Sequence, residues 1–200
     1  MIFNLFRKKR TKRAFAEDAD RASRMSRTYY AKLHEGTSYQ TNNWLLPEID
    51  RALACNPKSV LEIGFGNARF LRAVAERVER VIGVDWVASS MAADLPSNIE
   101  IVVADVVHQD LPNVDLACSA DVLEHFRPTD LDQVIGRLHI AGRFNFHVIA
   151  CYDDGHSHLS IFPPEQWLQR FRKFSPEYSL VDVRNRNGDS RKQICLIANF

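Results

Sequence analysis

Val60-Leu61-Glu62-Ile63-Gly64-Phe65-Gly66-Asn67-Ala68 is the stretch whose reading decides the fold. A β-branched and aliphatic run enters a glycine turn. That is the pattern of a buried strand stopping at a tight loop before a helix. Gly64 and Gly66 can take positive φ and let the backbone approach a ligand closely. Two further strand ends follow, Gly83-Val84-Asp85 and Val103-Ala104-Asp105, each finishing in an acid.

Outward from that point, strands and helices alternate. The first strand is expected near 59–63 and its helix near 67–77, burying Phe70, Leu71, Val74 and Val78. A second strand near 81–84, a short helix near 88–94 and a third strand near 99–104 follow. The fourth strand falls near 114–119, a helix near 129–139 and the fifth strand near 144–150. Such alternation predicts an α/β fold, a doubly wound, mostly parallel sheet covered on both faces. Two β-rich runs at 178–186 and 193–200 flank Asn187-Gly188, a hairpin signal that adds an antiparallel edge. Residues 14–35 lack Gly and Pro and favour helix, and Pro47 suits the first turn of another. Three regions result: a basic tail over 1–13, a helical arm over 14–57 and the main domain over 58–200.

The chain has 200 residues, enough for one domain with a sizeable core. Its net charge of +1 is unevenly spread. Residues 1–13 hold Arg7, Lys8, Lys9, Arg10, Lys12 and Arg13 and no acid, so the remaining 20 basic residues face 25 acidic ones. An acidic body argues against nucleic acid as a partner. The four cysteines are dispersed without a CxxC pair, which suits reduced thiols in a cytoplasmic setting. No apolar run is long enough to span a bilayer. Ile2, Phe3, Leu5 and Phe6 beside six cations allow a peripheral membrane contact, against the plainer reading of a solvated basic terminus.

Ligands of open parallel sheets sit beyond the carboxyl ends of the strands, where Glu62, Gly64, Gly66, Asp85 and Asp105 all map. Asp85 is placed to accept both hydroxyls of a ribose, and Trp86 offers a face for a base. Asp105 suits an exocyclic adenine amine and the Val106 N–H a ring nitrogen. Two cofactors compete for such a nucleoside pocket. The dinucleotide fingerprint G-x-G-x-x-G puts Arg69 at its third glycine, and Glu62 brings a carboxylate toward the place of a pyrophosphate. Both features favour S-adenosyl-L-methionine, which carries an ammonium and a sulfonium and no phosphate. An NAD(P)-dependent oxidoreductase and a noncatalytic nucleoside-binding protein remain the alternatives.

Together with Ser119-Ala120-Asp121-Val122-Leu123-Glu124-His125-Phe126, these residues resemble class I S-adenosylmethionine-dependent methyltransferases, nearest the branch of small-molecule and quinone-biosynthesis enzymes. The resemblance implies strand order 3-2-1-4-5-7-6, with the terminal hairpin supplying the reversed strand. It also implies that Glu62, Gly64 and Gly66 line the methionine side and that Ser119 sits near the sulfonium. One departure is Ala68, where many members carry a third glycine.

Methyl transfer is mainly alignment of nucleophile, methyl and sulfur, and a hydroxyl nucleophile also needs its proton removed. His125, after strand four, and His156 and His158, in the polar loop after strand five, are the candidate catalytic residues. Asp153, Asp154, His156 and His158 are ligand types, but their spacing is not diagnostic, so no metal is expected. His139 and His147 read as structural, and His34 and His108 have no constellation around them. The arm, with Tyr29, Tyr30, Tyr39, Asn42, Asn43 and Trp44, has a composition suited to a small-molecule or glycan acceptor, or to plain packing. A loose likeness of 158–167 to enzymes encoded near surface-polysaccharide genes favours the glycan.

Overall fold

The computed structural model describes residues 26–87 and 92–200. The basic tail, the first part of the helix-prone segment and most of the short helix expected near 88–94 lie outside these residues.

Seven strands form one sheet: β1 (Ser59–Ile63), β2 (Arg80–Asp85), β3 (Ile99–Val103), β4 (Val114–Ala120), β5 (Gly142–Ala150), β6 (Ser179–Asn185) and β7 (Gln193–Ala198). Their order is β3-β2-β1-β4-β5-β7-β6. β1 to β5 run parallel, while β7 pairs antiparallel with both β5 and β6. The order reverses at β1, where the chain crosses from one half of the sheet to the other. A crevice opens at that point beyond the strand ends.

Alternation along each strand sorts the core into two faces. Leu61, Ile63, Ile82, Val84, Ala117 and Ile149 pack beneath the helices Leu131–Ala141 and Pro164–Phe171. Val60, Val81, Leu116, Cys118, Phe146 and Leu196 face the helix Arg69–Ala75 and the arm residues Leu45, Ala52 and Leu53. Central strands buried on both faces read as near-continuous apolar runs, which is why β1 and β2 were so legible. Each fully buried aliphatic side chain contributes roughly 1.5–3 kcal/mol. Gly83 is the exception on its face. A Cβ there would stand 2.5 Å from Leu71 Cδ1 and 2.9 Å from Phe65 Cδ1, so the helix Arg69–Ala75 lies close against β2.

The hairpin closes differently from a two-residue turn. Asn187 and Gly188 do take positive φ, 50° and 76°, yet the connection is a wider loop closed by the Arg186 N–H on Lys192 O at 2.8 Å. The arm also departs from a single second helix. Leu46–Glu48, Ile49–Ala52 and Leu53–Cys55 are short 3-10, α and 3-10 turns, ended by Asn56 at φ 51°. An ion-pair chain staples the arm to the hairpin: Arg184 bonds both Glu48 and Asp182, and Arg51 reaches Asp182 at 3.1 Å. No helix among the described residues is long and apolar enough to cross a membrane.

Candidate active site

The strand ends of β1, β2 and β4, the loop after β3, the loop after β5 and the arm enclose one cavity of about 1070 Å³. That volume reaches the upper end of ligand-sized pockets and suits two small molecules side by side. Glu62, Gly64, Gly66, Asp85, Trp86, Asp105 and Val106 line one part of it, and His125, His156 and His158 another.

The glycine loop is shaped by backbone conformation. Gly64 and Gly66 have φ of 68° and 50°, and Ala68 also takes the left-handed region at 58°. A Cβ on Gly64 would come within 2.3 Å of Val122 Cγ2, and one on Gly66 within 2.8 Å of the Tyr39 hydroxyl. The loop is therefore pinched between β4's exit and the arm. Asp85 steadies it: Oδ2 accepts the Gly66 N–H at 3.1 Å and Oδ1 the Val87 N–H at 3.2 Å.

Glu62 is buried, and its Oε2 has no hydrogen-bond partner. Burial, then the nearby Asp85 charge, pushes its carboxyl well above the usual carboxylate range. Burial also raises Asp85, with the Gly66 N–H and His34 pulling back down. A buried carboxylate with an orphaned oxygen calls for a cationic partner. The ammonium of S-adenosylmethionine fits this need, and a pyrophosphate opposes it. Asp105 turns one oxygen onto its own loop, accepting the Val107 N–H at 3.0 Å. Trp86 is packed edge-on by Tyr30 at 6.0 Å between centroids, with the Arg27 guanidinium 5.7 Å from its ring.

Ser119 departs from expectation. It lies off the cavity, fully buried, with its hydroxyl 2.8 Å from His147 Nδ1. The reason is strand parity. Ser119 pairs with His147 and points, like Ala117, to the sheet face under Pro164–Phe171, where the Phe171 ring lies 5.2 Å from His147. Its neighbours Ala120 and Asp121 reach the cavity instead.

At the other end, the loop 151–160 is held over β4's exit. Leu159 and Ser160 N–H both donate to Glu124 O, at 2.8 and 2.9 Å, and the Ser160 hydroxyl donates to Phe126 O at 2.7 Å. Asp154 organises the loop by accepting N–H groups of His156, Ser157 and His158. Burial opposes its charge, but these bonds and the Ser157 hydroxyl hold its carboxyl below the usual range. His156 is exposed, with Nδ1 2.8 Å from Asp154 Oδ2. His158 is buried, its Nδ1 2.6 Å from Tyr152 O. His125 stacks edge-on with His158 at 5.0 Å, and its Nδ1 donates to Ser157 O at 3.2 Å. Burial and the neighbouring His158 push His125 down to about 4.

Several residues here were not anticipated. His34, on the helix Arg27–His34, is buried on the cavity wall, stacked on Tyr39 at 4.5 Å. Burial lowers its pKa, with Asp85 pulling it back. Arg186 forms a bidentate pair with Asp121 and covers the Trp44 ring at 4.2 Å. The arm's amides mostly fix the arm itself: Asn43 Oδ1 accepts the Leu45 and Leu46 N–H groups, and Asn67 Nδ2 donates to Asn42 O at 2.6 Å. Asn42, Asn43 and Trp44 nonetheless line the cavity. The sequence pointed to the arm through Tyr29, Tyr30, Tyr39, Asn42, Asn43 and Trp44 and to the hairpin through Asn187, but neither signal names a contact between segments so far apart in sequence.

Residues 60–141 match a family model described as a methyltransferase domain. No curated protein matches the sequence. Among solved structures, the chain is similar to a 1,6-didemethyltoxoflavin-N1-methyltransferase of Burkholderia thailandensis, crystallised with 1,6-didemethyltoxoflavin and S-adenosylhomocysteine. The two share 18% identity over 94% of this chain and 88% of that one, with a TM-score of 0.65. It is also similar to the N-methyltransferase NodS of Bradyrhizobium japonicum WM9, in complex with S-adenosylhomocysteine. There the identity is 16%, the coverage 85% and 98%, and the TM-score 0.59. At such identities the likeness establishes the fold. Strand order, reversed edge and glycine loop agree with the fold of these methyltransferases, and the methyltransferase-domain match runs from β1 to the helix before β5.

Proposed function

We propose that this enzyme methylates a hydroxyl of a small polar molecule, with a glycan as the narrower version of that reading. The observation that carries it is the shared cavity: a nucleoside-type end built on Glu62 and Asp85, and a histidine-rich end built on His125, His156 and His158. Glu62, Gly64 and Gly66 hold the methionine end of the cofactor, Asp85 the ribose, and Trp86, Asp105 and Val106 the base. When bound, S-adenosylmethionine supplies a methyl group already activated by positive sulfur. The protein's part is then alignment and proton removal. His156 sits at the mouth with one nitrogen engaged by Asp154, which orients the ring to take the hydroxyl proton on the other. His125 and His158 contact the acceptor. Tyr30, packed against both Trp86 and His125, excludes water between the two ends.

The test is transfer of a labelled methyl from S-adenosylmethionine into a panel of hydroxyl-, amine- and carbon-nucleophile acceptors, with mass spectrometry of the products. The reading expects labelled ethers. Label appearing only on nitrogen would replace the hydroxyl assignment and leave the cofactor assignment intact.

A further inference from the structure

We propose that Glu124, His125 and His158 bind one first-row divalent metal ion at the acceptor end of the cavity, where it receives the acceptor's oxygen. The ion's use rests on the methyl-transfer reading above; its binding does not. The sequence pattern points to Asp153, Asp154, His156 and His158 as ligand types and does not single out Glu124.

Four observations support the site. The potential ligand atoms of the three residues all lie within 4.8 Å of one another. Adjacent donors about 2.1 Å from an ion stand roughly 3 Å apart, so small side-chain rotations close the set. Both imidazoles are oriented from behind by carbonyls that only accept: Ser157 O at 3.2 Å for His125 Nδ1 and Tyr152 O at 2.6 Å for His158 Nδ1. Each Nδ1 therefore carries the proton, which leaves the Nε2 lone pair of a neutral ring to serve as ligand, the usual backing of metal-binding histidines.

Glu124 supplies the third argument. Its side chain is fully buried, Oε1 accepts the Ala150 N–H at 3.2 Å, and Oε2 has no partner. A buried carboxylate oxygen left unpaired needs an explanation, and a cation provides one. The fourth is local charge. Asp121 and Asp154 flank the cluster, Asp154 Oδ2 standing 3.8 Å from His158 Nε2, and Arg186 is committed to Asp121 by two bonds. Two imidazoles and a carboxylate favour manganese, iron, cobalt, nickel or zinc over magnesium or calcium, and three donors leave positions open for a ligand. Because His125 and His158 line the cavity, those positions face the acceptor.

The ion would lower the pKa of an acceptor hydroxyl. The proton passes to His156. The oxygen lone pair then forms the C–O bond as the methyl–sulfur bond breaks, and that electron pair returns to sulfur as a neutral thioether. No oxidant or reductant enters.

The test is a cobalt(II) titration of the chelator-stripped full chain, read by visible absorption, with S-adenosylhomocysteine binding and thermal melting recorded in parallel. The expected result is one saturable site per chain. Glu124→Gln and His158→Gln should each weaken it at least tenfold while S-adenosylhomocysteine affinity holds. Glu124→Gln keeps the acceptor for Ala150, and if it melts early, His158→Gln decides. A cooperatively melting wild type without a saturable cobalt site, or two folded variants that bind as well as wild type, would overturn the proposal. Cobalt binding without S-adenosylhomocysteine binding would support the metal site and remove the methyl-transfer reading.

Discussion

His147 should make this fold acid-labile, by an amount the structure allows one to work out. It lies on β5 opposite Ser119, without solvent exposure. Asn145 Oδ1, 3.3 Å from Nε2, can only accept, so Nε2 carries the proton and Nδ1 accepts the Ser119 O–H at 2.8 Å. Burial pushes the ring down to about 3 from an ordinary value of 6.5. Below about pH 6.5 the unfolded chain binds a proton there that the folded chain refuses until near pH 3. The stabilisation is thus complete above the unfolded pKa and is lost as pH falls toward the folded one. At about pH 5 the gap is roughly 1.5 pH units, or about 2 kcal/mol at ~1.4 kcal/mol per unit. His125, pushed down to about 4, adds a similar slope. The double difference between wild type and His147→Gln cancels it. Urea unfolding of both proteins at about pH 7.5 and pH 5 should give a double difference of about 2 kcal/mol. If the variant loses as much stability as wild type, the buried neutral imidazole is not the cause.

Three substitutions probe the cavity walls and the residue that braces them. Gly64→Ala adds a Cβ at φ 68° and 2.3 Å from Val122 Cγ2. It should cost about 2–3 kcal/mol in chemical unfolding and weaken S-adenosylhomocysteine binding. Asp85→Ala removes the acceptor for the Gly66 N–H and, on the proposed reading, for the ribose hydroxyls. Calorimetry should show a ten- to hundredfold weaker cofactor, in line with about 1.5–3 kcal/mol for a charge-assisted bond. Arg186→Met strips Asp121 of its bidentate partner and uncovers Trp44. A loss of about 3 kcal/mol is expected in urea unfolding.

The sheet was legible because β1, β2 and β4 announce themselves as apolar runs ending at glycine or an acid, and β5 as an apolar run leading into a polar loop. The carboxylates at the strand tips could be placed for the same reason. Ser119 could not, because being at a strand end does not say which face a side chain takes. One residue of register separates it from Ala120 on the cavity, and Asp121 reaches the cavity from just beyond the strand end. His34 stands on the cavity through the path of the arm, and Glu124 meets His158 only because the loop after β5 folds back onto its carbonyl. Arg186 finds Asp121 across 65 positions of chain. Contacts of that kind leave no local periodicity, so nothing in the spacing announces them.

The central claim is that the strand ends cradle an adenosyl sulfonium, with Glu62 as counter-ion to its ammonium. Isothermal titration of wild-type protein with S-adenosylmethionine, repeated across pH and in buffers of different ionisation heat, tests it most directly. The account predicts one site per chain, proton release as Glu62 ionises, and affinity that rises with pH. A folded protein that gives no saturable heat with this ligand, or that instead binds NADH, would contradict it.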